Sequence, residues 1–340
     1  MISTLIEHLE RGARLTRDEA EATMEELLLG RVPHDDIVHL LIAMRSRDYV
    51  IDEVVGFATA MRRHAQPIFS STWPAPATLV DTCGTGGDGL NTFNISTAAA
   101  FAVAAAGAAV AKHGNRAISS KCGSKEVLEA LGARTEIPLE RVGASICEVG
   151  FGFLFAPAVH TAMKHVMAAR RQLGGRTIFN LLGPLTNPAG ASAQVLGVFS
   201  AELVELEARA LVALGVAHAF VVHGMEGLDE ISLSGETQIA EVRDGNVRLF
   251  RIVPEDFGLE RAPLEALRGG NAETNAAMIR QIFNGQPGPP RHIVLVNAAA
   301  ALVAAGLVGD FREGASCAAK LIDSGAAHAK LAEFVSFTNQ

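Results

Sequence analysis

The stretch from Leu79 to Gly114 limits what this chain can become more than any other part of it. "TLVD" reads as a strand end and "TCGTGGDGLNTFNIST" opens as a glycine-rich loop. The alanine-rich run from Thr97 reads as a helix, and "AAVAKHGN" as a second strand end. Strand, glycine turn, helix and strand in that order form a parallel βαβ unit, because a parallel partner needs a crossover connection. The same grammar continues, with strands expected at 194–199 and 217–223 and helices at 123–132, 138–149, 201–214, 271–284, 291–305 and 312–325. The pattern predicts an α/β domain over 76–340, with a mostly parallel central sheet between helical layers. Residues 235–253 predict a hairpin appendage turning at Asp244, Gly245 and Asn246.

Ahead of this lies a different kind of sequence. Residues 1–68 predict a small all-helical domain: Thr16 and Glu19 are spaced as a capping box, and helices at 34–47 and 51–65 carry apolar residues such as Ile37, Leu40, Leu41 and Met44 at helical spacing. Helices from about 160–190 are expected to complete it. Pro67, Pro74 and Pro76 mark a linker or hinge. The net charge of −8 disfavours non-specific nucleic-acid binding. Four cysteines without a C-x-x-C spacing read as reduced thiols of a cytoplasmic protein. No export signal is visible, and the longest apolar stretch, Ala98 to Ala111, is too short to cross a bilayer.

The glycine loop invites two nucleotide readings, and both fail. A Walker A loop needs Gly-Lys-Ser/Thr, whereas Leu90 and Asn91 follow Gly89. A dinucleotide fold wants an acid about 20 residues on, where this chain has Lys112, His113 and Arg116. What remains is a set of backbone N–H groups ahead of Asn94, Ser96 and Thr97 at a helix start, which suits phosphate or pyrophosphate. Asp88 then fits a ligand that also carries hydroxyls or magnesium. The plainer alternative is an ordinary tight turn, with Ser96 as N-cap and Asp88 solvated.

Three further clusters bear on that choice. "KHGNRAISSKCGS" (112–124) places Lys112, His113, Asn115, Arg116, Ser119, Ser120, Lys121 and Ser124 where the adjacent strand ends. It would face the first loop across the crevice in which open α/β sheets bind ligands. "HGMEGLDEIS" (223–232) puts Asp229 and Glu230 side by side after a strand, a pair suited to magnesium shared with phosphate oxygens. In 160–190, Lys164, His165, Arg170, Arg171 and Arg176 form a basic stretch, and "GPLTNP" reads as a stiff turn. Arg170 or Arg171 could clamp a carboxylate. His160 and His165, five apart, do not share a helix face as zinc ligands would.

GTGGDG-x-x-TFNIST, KHGNR-x-x-SS-x-x-GS, VLEALG, RTIFNLLGPLTNP and GLDEIS, in this order, resemble the anthranilate phosphoribosyltransferase family. The resemblance implies a nucleoside phosphorylase/phosphoribosyltransferase type of fold and a homodimer. The activity it implies is transfer of the phosphoribosyl group of 5-phosphoribosyl 1-diphosphate (PRPP) to anthranilate. By motif, it places PRPP at Gly84, Gly87, Asp88, Thr92, Asn94, Ile95, Ser96 and Thr97, then at Lys112, His113, Gly114, Asn115, Arg116, Ala117, Ile118, Ser119 and Ser120, and at Ser124. It places anthranilate at Gly84, His113, Asn115, Arg170 and Pro184, and two Mg²⁺ per protomer at Ser96, Asp229 and Glu230. It names no certain catalytic residue, and it implies no nucleic-acid or membrane partner.

The chain departs from the family pattern in places. Lys125 and Glu126 stand in a GSADVLEALG-like segment, Thr161 stands where proline often follows His160, and Ala168–Ala169 replace the start of "APVRR". The last two departures border the expected acceptor channel. Rival readings are a pyrimidine-nucleoside phosphorylase, which lacks the paired acids and the KHGNR form, and a non-catalytic nucleic-acid-binding relative of the fold.

Overall fold

Four helices open the chain: α1 (Ile2–Glu10), α2 (Arg17–Leu28), α3 (His34–Arg45) and α4 (Ile51–Arg63). They are seen in a computed structural model that describes residues 2–117 and 121–340. Ile118, Ser119 and Ser120, expected in the donor site, therefore lie outside the described residues. The Thr16–Glu19 capping box forms as expected and starts α2. At the start of α4, buried Glu53 accepts from the N–H groups of Leu15 and Val50, and its carboxylate takes both Nη atoms of Arg47. That carboxylate ties three segments of the helical region together.

Among the described residues, seven strands form one sheet in the order β3-β2-β1-β4-β5-β6-β7. They are β1 (Leu79–Gly84), β2 (Ala109–Gly114), β3 (Phe151–Phe155), β4 (Ala193–Gly197), β5 (His218–Gly224), β6 (Thr237–Arg243) and β7 (Asn246–Ile252). Strands β1 to β5 pair in parallel, and β6 and β7 add antiparallel. The helices between and after them are α5 (Ile95–Ala105), α6 (Ser124–Ala130), α7 (Leu139–Val149), α8 (Ala156–Val159), α9 (Lys164–Leu173), α10 (Ile178–Leu185), α11 (Glu202–Ala213), α12 (Ala272–Phe283), α13 (Pro289–Ala304), α14 (Phe311–Asp323) and α15 (Ala326–Asn339).

The structure corrects several expectations. The hairpin is no appendage: all seven residues of β6 pair with β5, so it extends the sheet. Its turn is the expected one, with Asp244 and Gly245 at φ 50° and 76°. Strand β3 had no periodic signature, because "FGFLF" is buried at every position. "GPLTNP" is not wholly a turn. Pro184 lies in the last turn of α10; it has no N–H to give to the Asn180 carbonyl, and the helix ends one residue later.

One apolar core joins α5, α13 and α15 to one face of the sheet; Phe101, Phe151 and Phe334 lie in it. A second is shared by α2, α3, α4, α9 and α10, and it runs on without a break to α11 and the other face of β4 and β5. The helical region thus has no core of its own separate from the sheet. Within the second core lies Glu207 of α11, fully buried, with neither carboxylate oxygen hydrogen-bonded. Burial raises its pKa well above the ordinary value. A folded-state pKa above the unfolded one favours folding below the unfolded pKa, and that contribution is lost as pH rises through the folded value. Glu207→Met is therefore expected to stabilise the fold by about 1–3 kcal/mol at neutral pH, the cost of an unpaired buried polar group. Urea melts should show a larger gain at pH 8 than at pH 5.

Candidate active site

The strand order reverses between β1 and β4, and the loops that follow β1, β2 and β5 gather at the carboxyl ends of the strands. That is where an open α/β sheet leaves a crevice. The β1 loop is a run of left-handed turns, with Gly86, Gly87 and Gly89 at φ 64°, 79° and 77°, a backbone that residues with a Cβ resist. The acids after β5 reach back to it. Asp229 Oδ2 accepts the Gly86 N–H at 2.8 Å, and Glu230 Oε1 accepts the Ser96 N–H at 3.1 Å. Gly197, at the end of β4, makes this approach possible: a Cβ there would stand 1.6 Å from the Asp229 carbonyl oxygen.

Asp88 is half-buried and does hold the turn, accepting the Leu90 N–H at 3.1 Å, but it is not merely solvated: its charge bears on Asp229 and Glu230. Nor is Ser96 an N-cap. The helix starts at Ile95, so Ser96 lies in its first turn and Asn94 precedes it. Asn275 of α12 donates to Asn94 Oδ1 at 2.9 Å while Asn94 Nδ2 reaches the Cys122 carbonyl, which ties the first loop to the second.

The acids share one electrostatic problem. Burial raises the Asp229 pKa well above its ordinary range, and Asp88 and Glu230 raise it further, against the help of the Gly86 N–H. Burial carries Glu230 up to about 7 despite the attraction of Lys112. Burial pulls Lys112 down, opposed by Asp81. Carboxylates crowded in this way call for a cation. Oxygen donors from two adjacent acids, with the Ser96 hydroxyl beside them, fit magnesium, which binds through one or two carboxylates and substrate phosphates. Among the described residues no group of three His, Cys, Asp or Glu forms a closed protein cage for a metal.

The second loop divides its expected residues between two depths. Asn115 and Arg116 are exposed at the end of β2, Gly114 and Ala117 are half-buried, and Ser124 opens α6 against Gly114. Lys112 is buried beneath the first loop, donating to the Thr82 carbonyl and to Ser96 Oγ. It stands behind the site and holds Ser96 rather than facing the crevice. Ile95 and Thr97 are also buried, so their side chains point into the core; Thr97 Oγ1 has no hydrogen-bond partner within the protein.

Three of the expected acceptor residues, His113, Arg170 and Pro184, pack in or against α10, while Gly84 and Asn115 lie exposed at the ends of β1 and β2. His113 is buried, its ring hydrogen-bonded to the Gly183 carbonyl at 3.1 Å and set edge-on to His160 with centroids 5.1 Å apart. Burial, with His160 beside it, brings His113 down to about 3, so it is neutral at pH 7. Pro184 is buried, and its carbonyl accepts from Gln194. Arg170 of α9 lies over the Phe179 ring at 4.9 Å, and burial lowers its pKa to about 10. No carboxylate pairs with it among the described residues. A desolvated guanidinium without an acid is suited to an acidic ligand. Thr161 and Ala168 are exposed and Ala169 is buried under α9.

Two contributors had escaped the expected set. Arg176 donates to the Gly87 carbonyl and stacks over Phe199 at 3.9 Å, so a cation from the α9–α10 connection rests on the glycine loop. Asn275 had no motif around it. Arg176 was visible as part of a basic stretch, but nothing in its spacing said which loop it would reach. Cys83 is packed under the site, its sulfur accepting from Gln194, and burial raises its pKa well above the usual thiol value.

Comparison with known proteins identifies the family and the fold. The helical bundle domain of a glycosyl transferase family matches residues 3–65, and the a/b domain of a glycosyl transferase family matches residues 76–328. An anthranilate phosphoribosyltransferase of Symbiobacterium thermophilum is 51% identical over 339 residues, covering 100% of this chain and 98% of that protein. The crystal structure of the anthranilate phosphoribosyltransferase of Thermus thermophilus matches with a TM-score of 0.92 at 46% identity, covering 98% of this chain and 99% of that one. The Saccharomyces cerevisiae enzyme, solved in complex with PRPP and Mg, matches with a TM-score of 0.89 at 28% identity, over 99% of this chain and 98% of that one. By fold, by the assembly of acids and glycine loop at the sheet's switch point, and by identity along its whole length, the chain belongs to the anthranilate phosphoribosyltransferase family.

Proposed function

We propose that this chain transfers the phosphoribosyl group of PRPP to the amino nitrogen of anthranilate in tryptophan biosynthesis, releasing pyrophosphate and giving N-(5-phosphoribosyl)anthranilate. The observation that carries the reading is the contact of Asp229 and Glu230 with the N–H groups of Gly86 and Ser96, which brings acids and phosphate loop into one cleft. The donor's phosphates would be held by the loop from Gly84 to Thr97 and by the second loop from Gly114 to Ser124, with Lys112 supporting Ser96 from behind and Arg176 beside the first. Asp229, Glu230 and Ser96 would hold two Mg²⁺ per protomer. Magnesium bound there neutralises the charge that builds up on the departing pyrophosphate.

The chain's own residues do the rest. Loop N–H groups and the start of α5 stabilise anionic oxygens. Arg170 takes the anthranilate carboxylate, and Asn115, Gly84, His113 and Pro184 border the acceptor, so that the weakly nucleophilic nitrogen is aimed at C1 of the ribose. Alignment of the two substrates supplies much of the rate. With His113 and His160 both held neutral by burial, neither places a cation beside the nitrogen as it gains positive charge in forming the C–N bond; the proton that the nitrogen then loses is acidic enough to pass to water or to the departing pyrophosphate.

The test is anthranilate fluorescence with purified protein, PRPP and Mg²⁺, each omitted in turn. Signal loss only with all components present supports the reading; an unchanged signal with the complete mixture overturns it. Phosphorolysis of thymidine or uridine would instead revive the phosphorylase. Arg170→Ala is expected to raise KM for anthranilate by about 10- to 100-fold, the worth of a charge-assisted hydrogen bond, with KM for PRPP little changed. Equal losses for both substrates in steady-state kinetics would remove Arg170 from the acceptor site. The four free thiols suit a cytoplasmic enzyme. We take the working form to be a homodimer, to be checked by light scattering.

A further inference from the structure

The second loop is anchored by residues outside the donor set. Glu126 Oε2 accepts the N–H groups of Ala117 at 3.2 Å and Gly123 at 3.0 Å, which ties the ends of the loop together. Beside it, Arg116 Nη2 and Lys125 Nζ both lie 3.2 Å from the same oxygen, Oε1 of Glu136. Both cations also stand over the Phe155 ring, at 5.5 and 5.4 Å from its centroid. Lys125 has a second carboxylate, Glu129, which is itself held by Thr135 Oγ1 at 2.7 Å.

The two cations differ in how firmly they are held. The Lys125 side chain is 7% exposed and bound to two acids, whereas Arg116 and Glu136 are 59% and 58% exposed and share one contact. Burial alone would lower the Lys125 pKa, but Glu129 and Glu136 outweigh it and hold the ammonium charged. An exposed pair such as Arg116–Glu136 contributes about 0.2–1 kcal/mol, while a phosphate offers a guanidinium stronger, bidentate bonds. The contact is therefore a resting place that an anionic ligand can empty. Without the Lys125 charge, Glu136 would be free to take Arg116 more firmly.

We propose that Lys125 is a positioning residue for Arg116: by occupying Glu136, it leaves the Arg116 guanidinium available to the phosphates of the phosphoribosyl donor. This rests on the reading of Arg116 as part of the donor site. The test is steady-state kinetics on Lys125→Met, which keeps the stem over Phe155 and removes the charge, beside Lys125→Arg, Arg116→Ala and the double variant Lys125→Met with Glu136→Gln. Lys125→Met should raise KM for PRPP about three- to fivefold, with kcat and KM for anthranilate unchanged. Lys125→Arg should keep the wild-type value, and the double variant should regain it. If Arg116→Ala raises KM for PRPP but Lys125→Met does not, or if the double variant stays as impaired as the single one, the role of Lys125 is overturned. An unchanged KM in Arg116→Ala overturns the donor-site reading of Arg116 itself.

Discussion

Asp229→Asn combined with Glu230→Gln is expected to cut magnesium-dependent turnover by about 10²–10³ or more while the apo protein becomes more stable. The two effects have one cause. Asp229, Glu230 and Asp88 are crowded without enough counter-charge, and burial raises the pKa of both Asp229 and Glu230. Neutral amides relieve that repulsion and can still accept the N–H groups of Gly86 and Ser96, so the loop keeps its shape. They no longer supply the charge that a divalent cation requires. Thermal melts with and without Mg²⁺ and PRPP separate the outcomes. The variant should melt higher than wild type in chelator and show little added stabilisation from magnesium with PRPP. A variant with wild-type turnover would remove these acids from the metal site. One that melts lower in chelator would show that the acids hold the loop rather than strain it.

Gly197→Ala should be nearly as damaging, although Gly197 is in none of the recognised motifs. The added methyl group would sit 1.6 Å from the Asp229 carbonyl oxygen and 2.5 Å from its carbonyl carbon. Both are backbone atoms, so no flexible side chain can give way, and either β4 or the acid loop must move. Overpacking of this kind costs about 1–3 kcal/mol in stability. A displacement of about 1 Å at a site that aligns two substrates can cost about 10²-fold in rate. The expected result is a kcat/KM lower by about two orders of magnitude, with circular dichroism showing a folded protein. Full activity would mean that the acid loop can shift without consequence, contrary to its direct bond to the glycine loop.

The residues proposed to do the chemistry are largely visible as motifs, and their partners are not. The glycine run at 84–89 and the acids at 229–230 each have a local composition that only a few functions require. Gly197, Asn275 and Arg176 look ordinary where they stand in the chain. Each matters because of a residue 30 or more positions away: Asp229, Asn94 and Gly87 respectively. The buried strand β3 escaped for a related reason, since a strand covered on both faces loses the alternation that marks a half-exposed one.

The order of strands, glycine turns and helices after Leu79 determined by itself that the chain would build a parallel sheet, because local backbone preference and hydrophobic period are properties of neighbours in sequence. The same held for the capping box at Thr16 and the turn at Asp244–Gly245. Only the tertiary structure decided that the hairpin would join that sheet, and that the helical region would share a core with one of its faces. It also decided the depth of each charge. Lys112 and Arg116 belong to one motif, yet one is buried beneath the loop and the other is exposed at its rim. Depth depends on which surfaces close over a residue, and those surfaces come from distant parts of the chain.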